Sequence, residues 1–400
     1  MLASPADEEL GHASRNMTMS RKSETYGRER RAAQTVRAGA AMHCRARSWV
    51  LKTGGTMSAY YLEESAFTPF VEAIMREKRV IGPVAKREKF VYAPLESAGD
   101  LRLDFDVTIL PPKKVFFPPA QDIVRFEGSQ VMDCIDPIDT VLLGVHFYDV
   151  KGIDQTDLVF RERNADWNYL AQREATTIVA SNIRAIAPRA FWDSVGTQVQ
   201  AKGHDAFLTK VEGGYVLVTR TPRGDALIRY GGFREATTEE VESAVQINAD
   251  VMGKCPERLN HSSDEISTRV RDSFGDLGLW DELAEDCFSC GSCNTVCPTC
   301  YCFDVRDEWN LDQDSGTRTR YWDSCLTREF ALITQPGGMS ENFREHHSSR
   351  FRHRFMRKTT YLNDKLGGPA CTGCGRCSSA CTANIASPVR VINTIMERSS

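Results

Sequence analysis

Hydrophobic positions along this chain change period several times, and the changes outline its architecture. Phe67, Phe70, Val71, Ile74 and Met75 recur at three- and four-residue intervals, which predicts an amphipathic helix over 65–78. Short apolar runs follow at 80–81, 90–92, 107–110 and 115–117, separated by Pro, Gly and charged residues, and these predict strands. The run at 141–145 is continuously apolar around Gly144, as a strand buried on both faces would be. Runs at 178–180 and 215–218 look similar, and Gly213-Gly214 marks a turn before the second. From 236 to 286 the period becomes helical, with Ile266, Val270, Phe274 and Leu277 forming one stripe. The pattern predicts an α+β protein: a mixed-sheet domain over 57–235, then a mostly helical domain over 236–400.

The first 56 residues have no such period. Ser, Arg, Ala and Gly dominate, and Asp7, Glu8 and Glu9 argue against an organelle transit peptide. Arg30-Arg31 is not followed by an apolar segment, as a twin-arginine signal would be. We expect 1–56 to be a disordered extension, with the working chain starting near Met57 and Cys44 a bystander.

Length and charge narrow the function classes. The chain has 400 residues, enough for two or three domains with cores of their own. Its net charge of −4 and lack of a basic face argue against a nucleic-acid partner. No apolar stretch approaches the roughly 18 residues that span a bilayer. There are 14 cysteines, most of them between Cys287 and Cys381 at metal-ligand spacings. Such crowding points to a reducing, cytoplasmic setting rather than to disulfides.

Two cysteine runs carry the chemistry. Cys287, Cys290, Cys293 and Cys297 form one, and Cys371, Cys374, Cys377 and Cys381 form the other. Each has the C-x2-C-x2-C-x3-C spacing of bacterial two-cluster ferredoxins, where three close thiolates hold one cube and the fourth serves the other. That crossed pattern assigns Cys287, Cys290, Cys293 and Cys381 to cluster 1, and Cys371, Cys374, Cys377 and Cys297 to cluster 2. Gly291 and Gly375 follow the second cysteine of each run, where the backbone must curl closely and can aim N–H groups at sulfide. Pro298 follows the first run but Thr382 the second, a departure that leaves the ligands untouched. A zinc site is the competing reading, although zinc does not need third and fourth cysteines at these intervals. Two [4Fe–4S] clusters are therefore expected.

Most of the chain after Met57, and most specifically its C-terminal third, resembles a known family, the iron–sulfur β subunits of cytosolic sulfhydrogenases together with the A subunits of anaerobic sulfite reductases. The resemblance rests on C-F-S-C-G-S-C-N-T-V-C-P-T-C-Y-C-F-D at 287–304, R-T-R-Y-W-D-S-C at 318–325, R-F-R-H-R-F-M-R-K at 350–358 and C-T-G-C-G-R-C at 371–377. Weaker similarities lie in K-K-V-F-F-P-P at 113–119 and L-L-G-V-H-F-Y-D-V-K-G-I at 142–153. It implies a ferredoxin-like dicluster domain that relays electrons between an NAD(P)H-linked flavoprotein subunit and a catalytic oxidoreductase subunit of hydrogenase or sulfur/sulfite reductase type. The chain departs from that family where relatives carry further cysteines, at Tyr148, at Asn182 or Ile183, and at Trp192. No cluster is accordingly assigned to 57–260. No glycine-rich nucleotide fingerprint after a strand and no P-loop occurs, so flavin and NAD(P)H belong to another subunit.

Other residues leave alternatives open. Cys300, Cys302 and Cys325 are either small packing residues beside the clusters, a redox-active thiol pair, or ligands of a third centre. The redox reading makes the chain a self-contained disulfide, polysulfide or sulfite reductase. Cys255 reads as a loop or cap residue. In 350–358, Phe351 and Phe355 should pack inward and leave guanidiniums free for solvent, docking or cluster tuning. His346, His347 and His353 read as surface or packing residues.

Overall fold

The structure is a computed structural model and describes residues 58–196 and 201–398; the extension expected over 1–56 lies outside the described residues. Strand β1 (Ser58–Glu63) runs into helix α1 (Glu64–Met75), followed by β2 (Arg79–Lys86) and β3 (Lys89–Pro94). A hairpin of β4 (Ala120–Glu127) and β5 (Gln130–Asp133) precedes β6 (Thr140–Val145). Helices α2 (Phe147–Arg161) and α3 (Trp167–Glu174) lead to β7 (Thr176–Ser181), and β8 (Ala206–Val211), β9 (Gly214–Thr219) and β10 (Arg234–Glu235) complete this half.

Eight of these strands form one mixed sheet in the order β10-β1-β9-β8-β7-β6-β2-β3. Strands β2, β6, β7 and β8 are parallel, and the other pairings are antiparallel. Every residue of β6 and β7 is buried, which explains their unbroken apolar runs. Helix α1 buries Phe70, Val71 and Ile74 against the sheet, and Phe67 stacks on Tyr215 at 4.1 Å between ring centroids. Each fully buried side chain of this kind contributes about 1.5–3 kcal/mol.

Two expected strands are absent. Residues 107–110 form an irregular segment with a single bridge from Thr108 to Phe90. At 115–117, Pro111 and Pro112 lack the N–H groups a ladder needs, and the chain turns through a 3-10 helix at Pro112–Val115. Phe116 and Phe117 are buried all the same; Phe117 packs on Phe160 and Trp322.

The C-terminal half begins with α4 (Thr238–Asp250), started by a capping box of Thr237 and Glu240. It covers the mixed sheet, with Ala244 against Tyr61, Val211 and Val216. Helices α5 (Ser263–Asp272) and α6 (Leu277–Ala284) follow. The stripe expected through Phe274 and Leu277 breaks here, because a 3-10 turn at Ser273–Gly275 and a new N-cap at Asp276 rotate the chain. Ile266 and Val270 are buried, whereas Phe274 and Leu277 are exposed and α6 buries Leu279, Trp280 and Leu283 instead.

Beyond α7 (Ser292–Thr295), the segment between the cysteine runs holds strands that the apolar pattern did not reveal: β11 (Phe303–Trp309), β12 (Ser315–Trp322), β13 (Leu332–Thr334) and β14 (Ser340–Asn342). Strand β12 pairs with β4, giving a second sheet in the order β11-β12-β4-β5 that joins this segment to the N-terminal half. Arg320 of β12 is buried between Asp166 and Gln121. Helices α8 (His347–Thr359), α9 (Arg376–Ala380) and α10 (Pro388–Arg398) finish the chain. Their core joins Phe351, Phe355, Ile392 and Ile395 to Val270 and Trp280. No helix among the described residues is long and apolar enough to cross a membrane.

Candidate metal centre

Both cysteine runs adopt the same local form, a tight loop entering a short helix through a left-handed glycine. Gly291 (φ 74°) starts α7, which carries Cys293, and Gly375 (φ 79°) starts α9, which carries Cys377. Gly373 is also left-handed, at φ 69°. The surroundings add a second reason for glycine beyond the curl itself. A Cβ on Gly375 would lie 2.3 Å from the Arg189 carbonyl oxygen, and one on Gly373 would lie 2.5 Å from Trp192 Cα. The Phe191 N–H donates to the Gly373 carbonyl at 2.8 Å. The second run is thus seated backbone to backbone on residues 189–192 of the N-terminal half.

Helices α7 and α9 pack together and bring the two runs side by side. Cys381 comes within electrostatic reach of Cys287 and Cys293, and Cys297 within reach of Cys371 and Cys374. Cys297, Cys371, Cys374 and Cys377 line one cavity together with Arg354 and Lys358, and no carboxylate joins that lining. Four thiols and two cations around one space suit an anionic polynuclear cluster. The two sets also differ in depth. In the set of Cys287, Cys290, Cys293 and Cys381 only Cys293 is buried and Cys290 is exposed, whereas Cys297, Cys374 and Cys377 of the other set are all buried. Burial pushes the Cys293 and Cys371 thiols up to about 12 and Cys374 to about 11.

A solvated face, one of the roles left open for the basic segment, does not describe its centre. Phe351 and Phe355 do pack inward, but Arg350, Arg354 and Lys358 are buried as well. Their four-residue spacing puts all three on one face of α8. Arg350 donates to the Leu326, Arg344 and Glu345 carbonyls and to Ser289 Oγ at 3.1 Å. Arg354 Nε donates to Asn294 Oδ1 at 3.1 Å, and Lys358 Nζ to Thr299 Oγ1 at 2.6 Å. Two more cations come from elsewhere. Lys113 is buried and donates to the Cys300 carbonyl. Arg376, inside the second run, pairs through both terminal nitrogens with Asp149 of α2 at 2.6 and 2.7 Å, and also donates to Thr108.

Comparison with known proteins agrees with this geometry. Residues 286–385 match the family described as a 4Fe-4S dicluster domain. The chain is 30% identical over 338 residues to the sulfhydrogenase 2 subunit beta of Pyrococcus furiosus, a match covering 84% of this chain and 98% of that protein. The chain belongs to the sulfhydrogenase iron–sulfur β-subunit family. Residues 286–385 are its iron–sulfur domain.

Within this β-subunit fold, the positions lacking the further cysteines are filled by buried side chains. Tyr148 donates to the Asp106 carbonyl at 3.0 Å and lies under the Arg376 guanidinium. Trp192 meets Phe147 edge to face at 5.0 Å, and Asn182 Oδ1 accepts from the Lys210 N–H. Cys255 sits in a loop, its N–H donating to Asp193. His346 occupies the N-cap position of α8 without a side-chain capping bond, His347 follows it, and His353 packs beside Tyr361.

Cys300, Cys302 and Cys325 form two thiol contacts, Cys300 with Cys297 and Cys302 with Cys325. Asn294 Nδ2 also donates to Cys325 Sγ at 3.1 Å. The Cys302 hydrogen bond pulls the Cys325 thiol down to about 6, against the effect of burial. Among the described residues, no three His, Cys, Asp or Glu side chains converge as a single metal ion requires.

Proposed function

We propose that this protein relays electrons one at a time through two [4Fe–4S] clusters. Cys287, Cys290, Cys293 and Cys381 hold the outer cluster; Cys371, Cys374, Cys377 and Cys297 hold the inner one. The clusters supply reversible one-electron storage. The protein supplies the thiolates, a dry seat for the inner set against 189–192, and a partly exposed outer set through which a partner can be reached. The observation that carries this reading is the cavity shared by Cys297 and the second run. The Pyrococcus relative is by name a subunit of a sulfhydrogenase. By that likeness the partners are a flavoprotein subunit handling NAD(P)H and a catalytic oxidoreductase subunit, of hydrogenase or sulfur/sulfite reductase type. Anaerobically prepared chain is expected to hold about eight iron and eight sulfide and to take up about two electrons. A colourless zinc form would overturn the proposal.

One observation favours a second reading. The Cys302 and Cys325 thiols touch, and Cys325 is the more acidic, so the pair resembles an attacking and a resolving thiol. In that reading Cys325 attacks an S–S bond of a polysulfide or disulfide and releases a thiolate, Cys302 resolves the mixed disulfide, and the Cys302–Cys325 disulfide so formed takes up two electrons, which clusters held by the two cysteine runs would supply. The burial of Cys325 disfavours it, because a substrate has to reach the sulfur. Replacing Cys300, Cys302 and Cys325 together by Ser separates the readings. A relay keeps its iron and its electron delivery to a soluble acceptor protein; a thiol reductase keeps iron and loses turnover.

A further inference from the structure

Positive charge is distributed unevenly around the two cysteine sets. Lys358 is buried, and its hydrogen bond goes to the neutral Thr299 hydroxyl. Lys113 is buried against a carbonyl and the face of Trp322, 4.5 Å from its ring centroid. Arg354 is bonded to a neutral amide, and its Nη1 has no protein acceptor. Of these buried cations only Arg376 meets a carboxylate, Asp149. Burying such groups without counter-charge is costly unless an anion arrives beside them.

Most of this charge lies on one side. Lys358 acts on Cys297 and Cys371 and Lys113 on Cys297, all ligands of the inner set, whereas Arg376 acts on Cys374 with its partner Asp149 opposing it there. Arg354 lies between the sets, acting on Cys293 as well as on Cys377 and Cys297. The outer set includes the exposed Cys290, where water screens any nearby charge.

Building on the two-cluster reading, we propose that Lys358 and Lys113 make the inner cluster the higher-potential member of the pair, so that the first electron rests there and the outer cluster is the port. Each reduction adds one negative charge, which a cation fixed in a low-dielectric interior stabilises. Burial alone acts in the opposite direction. Here the cations without carboxylate partners outweigh it, since they adjoin the ligands directly and water does not screen them.

The test is an EPR-monitored redox titration of the anaerobically prepared full chain, with a soluble dysprosium chelate to speed relaxation of whichever cluster lies near solvent. In the wild type, the first signal to appear on reduction should be the one the chelate affects less. Lys358→Met should lower the reduction equilibrium constant of that cluster about tenfold, equivalent to about 59 mV for one electron, and leave the other in place. Lys358→Arg should restore it, and Arg352→Met, on a partly exposed position of the same helix, should move neither. The proposal is overturned if the solvent-near cluster reduces first, or if Lys358→Met shifts both clusters equally or neither. If Lys358→Met does not load iron, the wild-type order decides. A wild type with a single cluster refutes the two-cluster reading itself, a result distinct from two clusters in the wrong order.

Discussion

Asp149→Ala is expected to cost about 3–5 kcal/mol of stability, because it leaves the Arg376 guanidinium buried with no counter-charge. Both partners are almost fully excluded from water, at 2% and 0% side-chain exposure. The pair also joins α2 to the second cysteine run across 227 residues of sequence. Loss of the carboxylate should therefore loosen the seat of the inner set as well as lower the melting temperature. Replacing both partners by apolar residues, Asp149→Leu with Arg376→Met, should recover much of the loss, since a buried ion pair contributes little over well-packed apolar groups. Thermal melts of Asp149→Ala and of the cycle of wild type, Asp149→Leu, Arg376→Met and their double variant check this. Equal losses in the single and double variants would mean that the pair's geometry, not its charge balance, holds the run in place.

The second large effect is expected at Gly375. Its left-handed backbone costs an alanine about 1–2 kcal/mol before any contact is counted. The new Cβ would also sit 2.3 Å from the Arg189 carbonyl oxygen and 3.0 Å from the Ala190 nitrogen. These are backbone atoms that cannot rotate away, so the second run has to leave its seat. Gly375→Ala should lower iron to about half, through loss of the inner cluster. Gly253→Ala is the control, because Gly253 has a similar φ of 76° with nothing within 4 Å of its would-be Cβ. It should bear the backbone cost alone and keep all its iron. Iron per chain and the melting temperature of both variants test the difference.

The candidate site was more legible in the sequence than the fold around it. Ligand spacing is a local property, so the eight proposed ligands could be named from two short runs. The central strands β6 and β7 were equally plain, because burial on both faces writes itself as an unbroken apolar run. The pairing of β12 with β4 was not, since it joins segments nearly two hundred residues apart and β11 is exposed along its whole length. The inward turn of Arg350, Arg354 and Lys358 escaped for a related reason. Charged residues on a helix normally face water, and only the folded neighbours show that this face meets the cysteines. The four-residue spacing of these cations was the available signal. The Arg376–Asp149 pair left no local trace at all.

The crossed ligand arrangement is tested most directly by counting iron in Cys297→Ala, Cys374→Ala and the double variant, all prepared anaerobically. If both thiols serve the inner cluster, each single variant loses that cluster and the second substitution removes nothing more, so all three keep about four iron per chain. A double variant stripped of nearly all its iron would place the two cysteines on different clusters and contradict the account.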